Sequence, residues 1–260
     1  MVKDYHIHPT VVLDPSRFAQ FAKTAIDNGI DEVCITDHMP LSVSNAGDRI
    51  PTGRVEEYCT AVRQLANEWD GRLSVKLGIE IDYHPDYHDE IEAVLNSGDY
   101  DYVIGATHLH VSELNAFEKY RTHNEFAQAQ LENTIACARS GYFDTIAHID
   151  FFRWHFTLPN RFPLVDDGYS VERNLSLIDK ALNAIRDEGL RLEINPHLAV
   201  IQARLESTYP EASIVQMALD KGMKFSYGSD AHSFDHVGAM LKELRAHPIY
   251  GSALHTWEEE

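Results

Sequence analysis

The stretch Lys224-Phe225-Ser226-Tyr227-Gly228-Ser229-Asp230-Ala231-His232 decides the reading of the fold. It is a short strand-like run that stops at two small residues and then delivers two ionisable side chains, Asp230 and His232, spaced i, i+2. The same form recurs through the chain. Candidate strands cover about 3–8, 32–37, 74–82, 101–107, 144–149, 190–195 and 224–229, with amphipathic helical stretches between them. Short apolar runs alternating with helical segments are the signature of βα units and a parallel sheet. The first run ends in His6-Ile7-His8 and the second in Asp37-His38. The third carries Glu80 and Asp82, and the fourth ends in His108 and His110. The fifth ends in His148 and Asp150, the sixth carries Glu193 and Asn195, and the seventh is the one quoted. In a βα barrel all strand C-termini open on one face, so residues scattered along the chain converge in one cleft.

Local signals fit this alternation. Asp14-Pro15 is an N-cap followed by proline at N1, and its helix is expected to run to Asn28 with Gly29 as the stop. Thr122-His123-Asn124-Glu125 has capping-box spacing. Further helices are expected over about 172–188, 211–221 and 236–246. The 260 residues suffice for one large domain or two small ones. Cys34, Cys59 and Cys137 form no Cys-x-x-Cys pair, which argues against a disulfide framework or a thiolate zinc site. No apolar run reaches the roughly 20 residues of a membrane span, and residues 1–6 carry no secretory signal, so the expected compartment is the cytoplasm. The formal net charge of −19 opposes nucleic-acid binding.

The strand-end residues point to metal. His6 and His8, at i, i+2 on a strand, share a face, as do Asp230 and His232. Glu80 lies inside the apolar run Gly78-Ile79-Glu80-Ile81. A buried carboxylate needs a cation, a charged side chain or strong donors, and no Lys or Arg is obvious near the strand ends. Mixed imidazole and carboxylate ligands without thiolates suit Zn, Mn or Fe. There are more ligands than one ion needs, so two or three divalent ions are expected.

These motifs in this order resemble the polymerase-and-histidinol-phosphatase (PHP) superfamily. The residues that carry the resemblance are His6-x-His8, Thr36-Asp37-His38, Glu80, Thr107-His108, Ala147-His148 and Gly228-Ser229-Asp230-Ala231-His232. His148 followed five positions later by Arg153, and Glu193-Ile194-Asn195, are similar to the histidinol-phosphatase branch. The resemblance implies a distorted (β/α)7 barrel as a single domain over 1–260. It implies three metals: the first held by His6, His8, Glu80 and Asp230; the second bridged by Glu80 and completed by His108 and His148; the third held by His38 and His232. It also implies a small phosphorylated substrate, best taken as L-histidinol phosphate. Catalysis would rest on Glu80, Asp230 and His232. Arg153 would hold the phosphate, and Asp150 and Glu193 would receive the amine.

The chain departs from the family in two places. Where many members have a further histidine ligand it has Asp14, which reads equally as a ligand to the third metal or as a helix cap. After Asn195 it has Pro196-His197 instead of a small-residue turn, and the second arginine of the branch is represented only by Arg204, a shifted phosphate contact or a solvated side chain.

Overall fold

The computed structural model describes residues 1–12, 14–40, 42, 49–113, 115–157 and 164–259. Seven parallel strands follow one another in chain order: β1 (Lys3–Ile7), β2 (Glu32–Ile35), β3 (Ser74–Asp82), β4 (Tyr102–Ala106), β5 (Thr145–Ile146), β6 (Arg191–Ile194) and β7 (Lys224–Tyr227). Neighbours pair in register, Glu32 with Ser74, Gly78 with Tyr102 and Arg191 with Lys224 among them. All residues of β2 and β4 are buried, as expected for strands covered on both faces. The sheet curls until β1 meets the segment after β7. Ile7 bridges Ala231, the Asp230 amide donates to the His6 carbonyl (2.7 Å) and the His8 amide donates to the Ala231 carbonyl (2.9 Å). The result is a distorted (β/α)7 barrel whose seam is fastened at its C-terminal rim.

Helices wrap the outside and bind the strands through their apolar faces. The helix Val55–Trp69 buries Val55, Tyr58, Val62 and Leu65. The Tyr58 hydroxyl lies 2.9 Å from the Ile35 carbonyl and 2.7 Å from that of Gly78, tying this helix to β2 and β3. No helix among the described residues is long and apolar enough to cross a membrane.

Most expected elements are present, with shifted ends. The segment after Asp14 opens as a 3-10 turn, Pro15–Arg17, before the helix Phe18–Asp27, and Gly29 ends it at φ +70°. β5 has two residues in place of the six expected, because the chain leaves the strand at Ala147 and turns through His148 at φ +23°. The helix expected over 236–246 is a 3-10 turn (Phe234–His236) and a later helix (Leu241–Ala246). A further helix, Pro248–Glu259, was not anticipated; it buries Tyr250, Leu254 and Trp257.

The helix His123–Ala138 begins with the capping box read from the sequence. Thr122 Oγ1 accepts from the Glu125 amide (3.2 Å) and Glu125 Oε2 from the Thr122 amide (3.1 Å). Thr122→Ala is expected to cost about 1 kcal/mol, lowering Tm by about 2–4 °C. An unchanged melting curve would show that the helix does not depend on this cap.

Candidate metal centre

Burial selects the candidate residues. Glu80, in the middle of a strand of apolar neighbours, has no exposed surface, and neither has His6; His8, His148 and Asp230 are almost as enclosed. His6 on β1 and His8 just beyond its end bring their rings to 4.9 Å of one another. Hydrogen bonds from the Met39 amide to the Glu80 carbonyl (2.9 Å) and from the Glu80 amide to the Asp37 carbonyl (3.3 Å) seat His38 against Glu80. His148 and Asp230 stand on turns in the left-handed region, at φ +23° and +55°. Such backbone is uncommon for residues with side chains and clusters where a site is held under constraint.

Around Glu80 the donor atoms are regularly spaced. Oε2 lies 3.4 Å from His6 Nε2 and 3.5 Å from His8 Nε2, and Oε1 lies 3.2 Å from His148 Nε2. His8 Nε2 is 3.2 Å from Asp230 Oδ1, and His38 Nε2 is 3.3 Å from His232 Nε2. Two N or O ligands 2.0–2.1 Å from one tetrahedral cation lie about 3.3–3.4 Å apart. His38 Nδ1 closes on Glu80 Oε2 at 2.6 Å, while His6 Nε2 and His8 Nδ1 are buried without a hydrogen-bond partner. Buried polar atoms are rarely left so. Donors at the spacing of a coordination polyhedron, aimed at one another, fit divalent cations. Four overlapping groups have this character: His6–His8–Asp230, His6–Glu80–His148, His8–His38–His232 and His197–Asp230–His232.

The outer partners fix the tautomers. His6 Nδ1 is 2.6 Å from Glu193 Oε1 and His108 Nδ1 is 2.6 Å from Asp82 Oδ1. Each carboxylate takes the Nδ1 hydrogen and leaves an Nε2 lone pair for a cation, the usual arrangement behind a histidine ligand. His108 stands beside His148, ring centroids 4.7 Å apart, outside the four compact groups. Asp82 is also paired with Arg49 at 2.5 Å. An arginine therefore does reach the strand ends, contrary to the sequence expectation, and it serves Asp82.

The charges are mutually arranged. Burial favours the neutral carboxyl of Glu80, yet His38, His6 and His148 outweigh it and hold the acid well below its usual range. Asp230 is held low in the same way against burial by His6, His197, His8 and His232. Burial would lower His6, but Glu193, Asp230 and Glu80 raise it well above an ordinary imidazole. His8, buried and beside His38 and His232, is driven well below the usual range, and burial takes His232 down to about 4.

The remaining candidates take other places. Asp14 is exposed, and its carboxylate caps the next turn by accepting from the Ser16 amide (3.0 Å) and hydroxyl (2.6 Å). It lies outside the four groups, so the structure favours the cap over the ligand. Asp37 accepts from the Thr10 (2.8 Å) and Val11 (3.0 Å) amides, so it braces the loop after β1. Asp150 and Glu193, expected to face a substrate amine, are both engaged within the protein. Glu193 faces His6 with Oε1, and its Oε2 accepts from the His148 amide and Asn195 Nδ2. Asp150 Oδ2 is taken by Arg153 (2.9 Å) and the Glu211 amide (2.9 Å), and Oδ1 is sealed from solvent. Arg204 is exposed at the end of the helix His197–Gln202. His197 was missed. Its signal was a histidine directly after Glu193-x-Asn195-Pro196, on the strand-end segment already under suspicion.

Gly228 keeps β7 and β1 close. A Cβ there would stand 2.3 Å from both Glu193 Oε1 and His6 Cβ. Gly228→Ala is therefore expected to displace the Glu193–His6 pair and reduce bound metal by at least about tenfold in affinity, the scale seen when a partner behind a ligand is lost. Elemental analysis of the purified variant is the check. Wild-type occupancy would show that the pair tolerates displacement.

Residues 4–197 match the PHP domain family. The chain is 32% identical over 243 residues to a probable histidinol-phosphatase of Deinococcus radiodurans, covering 87% of this chain and 85% of that protein. It is 25% identical over 258 residues to a histidinol-phosphatase of Bacillus subtilis, covering 91% and 95%. Its fold is similar to the crystal structure of histidinol phosphate phosphatase from Lactococcus lactis, which holds zinc, L-histidinol and phosphate. The TM-score is 0.77 at 20% identity, over 97% of this chain and 93% of that one. With its ligand motifs, barrel order and three-quarter-length match taken together, the chain belongs to the PHP domain family.

Proposed function

We propose that the protein is a metal-dependent phosphomonoesterase acting on L-histidinol phosphate. The observation that carries the reading is the cage around Glu80, where three imidazole nitrogens, of His6, His8 and His148, stand 3.2–3.5 Å from the buried carboxylate oxygens and His38 Nδ1 closes on Oε2 at 2.6 Å. The substrate is supported by the relatives, which are named for that reaction, and by the ligands of the Lactococcus enzyme.

His6, His8, Glu80 and Asp230 would hold one ion, Glu80 and His148, with His108 beside them, a second, and His38 and His232 a third, the ions being Zn, Fe or Mn. Bound there, such ions act as Lewis acids on the phosphoryl oxygens and make water nucleophilic near neutral pH. The chain's own groups do the rest. Arg153 donates to Asp150, to the Thr208 carbonyl (2.9 Å) and to the Glu206 carbonyl (3.1 Å), and lies over the Tyr209 ring. Its guanidinium is thus fixed in advance at the mouth, with remaining N–H groups to hold a phosphate. Asp150 serves the substrate through Arg153. Asp230 turns Oδ1 toward His8, while Oδ2 accepts from Asn195 (3.2 Å). Its carboxylate, with His232 alongside, takes the proton of the attacking water and returns it to the leaving alkoxide. No covalent bond to the protein forms.

The test is a panel of phosphate esters. L-histidinol phosphate is expected to exceed p-nitrophenyl phosphate, nucleotides and sugar phosphates by at least about a hundredfold in kcat/KM, or roughly 2.7 kcal/mol. A generic ester hydrolysed as well would remove the substrate assignment and leave the phosphatase. Arg153→Lys is expected to cost on the order of 1–3 kcal/mol in kcat/KM with metal content unchanged, because an ammonium cannot reproduce the planar fork. Wild-type kinetics in that variant would take Arg153 out of the site.

A further inference from the structure

We infer that His197 supplies the metal ligand that Asp14 does not, so that the two departures from the family pattern compensate one another. The inference rests on the metal-dependent reading above and adds a residue to it.

Three observations carry it. First, His197, Asp230 and His232 each offer a ligand atom, all within 4.8 Å of one another. The His197 ring lies 5.6 Å from that of His232, at an interplanar angle of 69°. Second, both histidines share one acceptor. His197 Nδ1 is 2.9 Å and His232 Nδ1 3.1 Å from the Asp230 carbonyl oxygen. A carbonyl can only accept, so each Nδ1 carries the hydrogen, and in the neutral rings each Nε2 is left with a lone pair. The left-handed backbone at Asp230, φ +55°, goes with this arrangement, in which one peptide oxygen orients two imidazoles. Third, the ring is placed by its own chain. The His197 amide donates to Asn195 Oδ1 (2.9 Å), and Asn195 Nδ2 donates to Glu193 (3.0 Å) and to Asp230 Oδ2 (3.2 Å). His197 thus opens its helix directly beside the ligand carboxylate.

Asp14 meets none of these conditions. It is exposed, its Oδ1 is taken by the Ser16 amide and hydroxyl, and it joins no group of donors. An ion at His232, which lies 3.3 Å from His38 Nε2 and also belongs to the group with His197 and Asp230, would gain a neighbouring nitrogen from the sixth strand end in place of one from the loop after β1. The side chain of His197 is 18% exposed and that of His232 37%, so this ion would be the outermost. It is expected to exchange most readily.

The test uses full-length protein stripped with a chelator and titrated with Co(II), read by elemental analysis after desalting and by the visible absorption of bound cobalt. His197→Ala is expected to lose the weakest equivalent, with at least about tenfold weaker affinity and a changed cobalt spectrum, while the tighter equivalents remain. His197→Asp, which restores an anionic donor, is expected to recover part of that affinity. Asp14→Ala is expected to bind cobalt as the wild type does, with a lower Tm from the lost cap. The inference is overturned if His197→Ala binds as many ions as tightly as wild type, including the case where only KM changes. Loss of the weak equivalent in Asp14→Ala with none in His197→Ala overturns it equally. Wild-type protein that takes up no cobalt would overturn the metal reading itself, a distinguishable result. Circular dichroism of each variant separates loss of a ligand from loss of the fold.

Discussion

The structure is organised by one constraint, the burial of the Glu80 carboxylate. Removing an ion from water costs several kcal/mol even after the protein relaxes, and Glu80 lies at the centre of the barrel mouth with no solvent contact. Four imidazoles, of His6, His8, His38 and His148, stand within 3.5 Å of its oxygens, and Arg49, a basic side chain at the strand ends, is committed to Asp82. Histidines can neutralise Glu80 only by protonation, and the rings compete: His6 is held high while His8 and His232 are forced low. A divalent ion resolves the competition, because it meets the carboxylate charge and uses the lone pairs of neutral rings at once. The spacing of the donors follows from that requirement.

Closure of the barrel serves the same end. β1 and the segment after β7 are joined at the rim, by backbone bonds at His6, His8, Asp230 and Ala231. Behind them Asp4, fully buried, accepts from the Ser229 (2.8 Å) and Gly238 (3.0 Å) amides. Burial raises the acid to about 6 against the pull of these donors. Asp37 plays a similar part for the loop at Thr10 and Val11. Each of these carboxylates sits beside ligand-bearing backbone, and each spends its charge on amides, not on a cation. The acidic balance of the chain is in part a stock of such braces.

The fold was legible because each strand is short, apolar and followed by a polar terminus, a pattern carried by adjacent residues. His6, His8, Glu80 and Asp230 were legible for the same reason: a polar residue in an apolar strand advertises a partner. What escaped depended on residues far apart in sequence. Asp150 and Glu193 look like free strand-end acids, and only the tertiary fold shows Arg153 and the Glu211 amide on one and His6 on the other. β5 read as six residues because Ala147 and Ile149 are apolar; the turn at His148 is imposed by the site. His197 follows a strand-end motif, but a proline precedes it and it opens a helix, and its neighbour Asp230 is supplied by another strand end. The ambiguity of Asp14 also had no local solution, since a good cap and a good ligand are the same side chain.

The bond from the Ser229 amide to Asp4 joins residues 225 positions apart. At the roughly 5–20 residues per second of protein synthesis, about 10–45 seconds separate the emergence of these two partners from the ribosome. Until Glu80 emerges, His6-Ile7-His8 is a bare pair of imidazoles with ordinary affinity for whatever cation is abundant. Glu80 and Glu193 follow with β3 and β6, and Asp230 arrives only after the last strand. Choice of metal is therefore made by the finished barrel and not by the growing chain, and the ion that stays is the one whose preferred geometry matches a cage that did not exist when the first ligands were made.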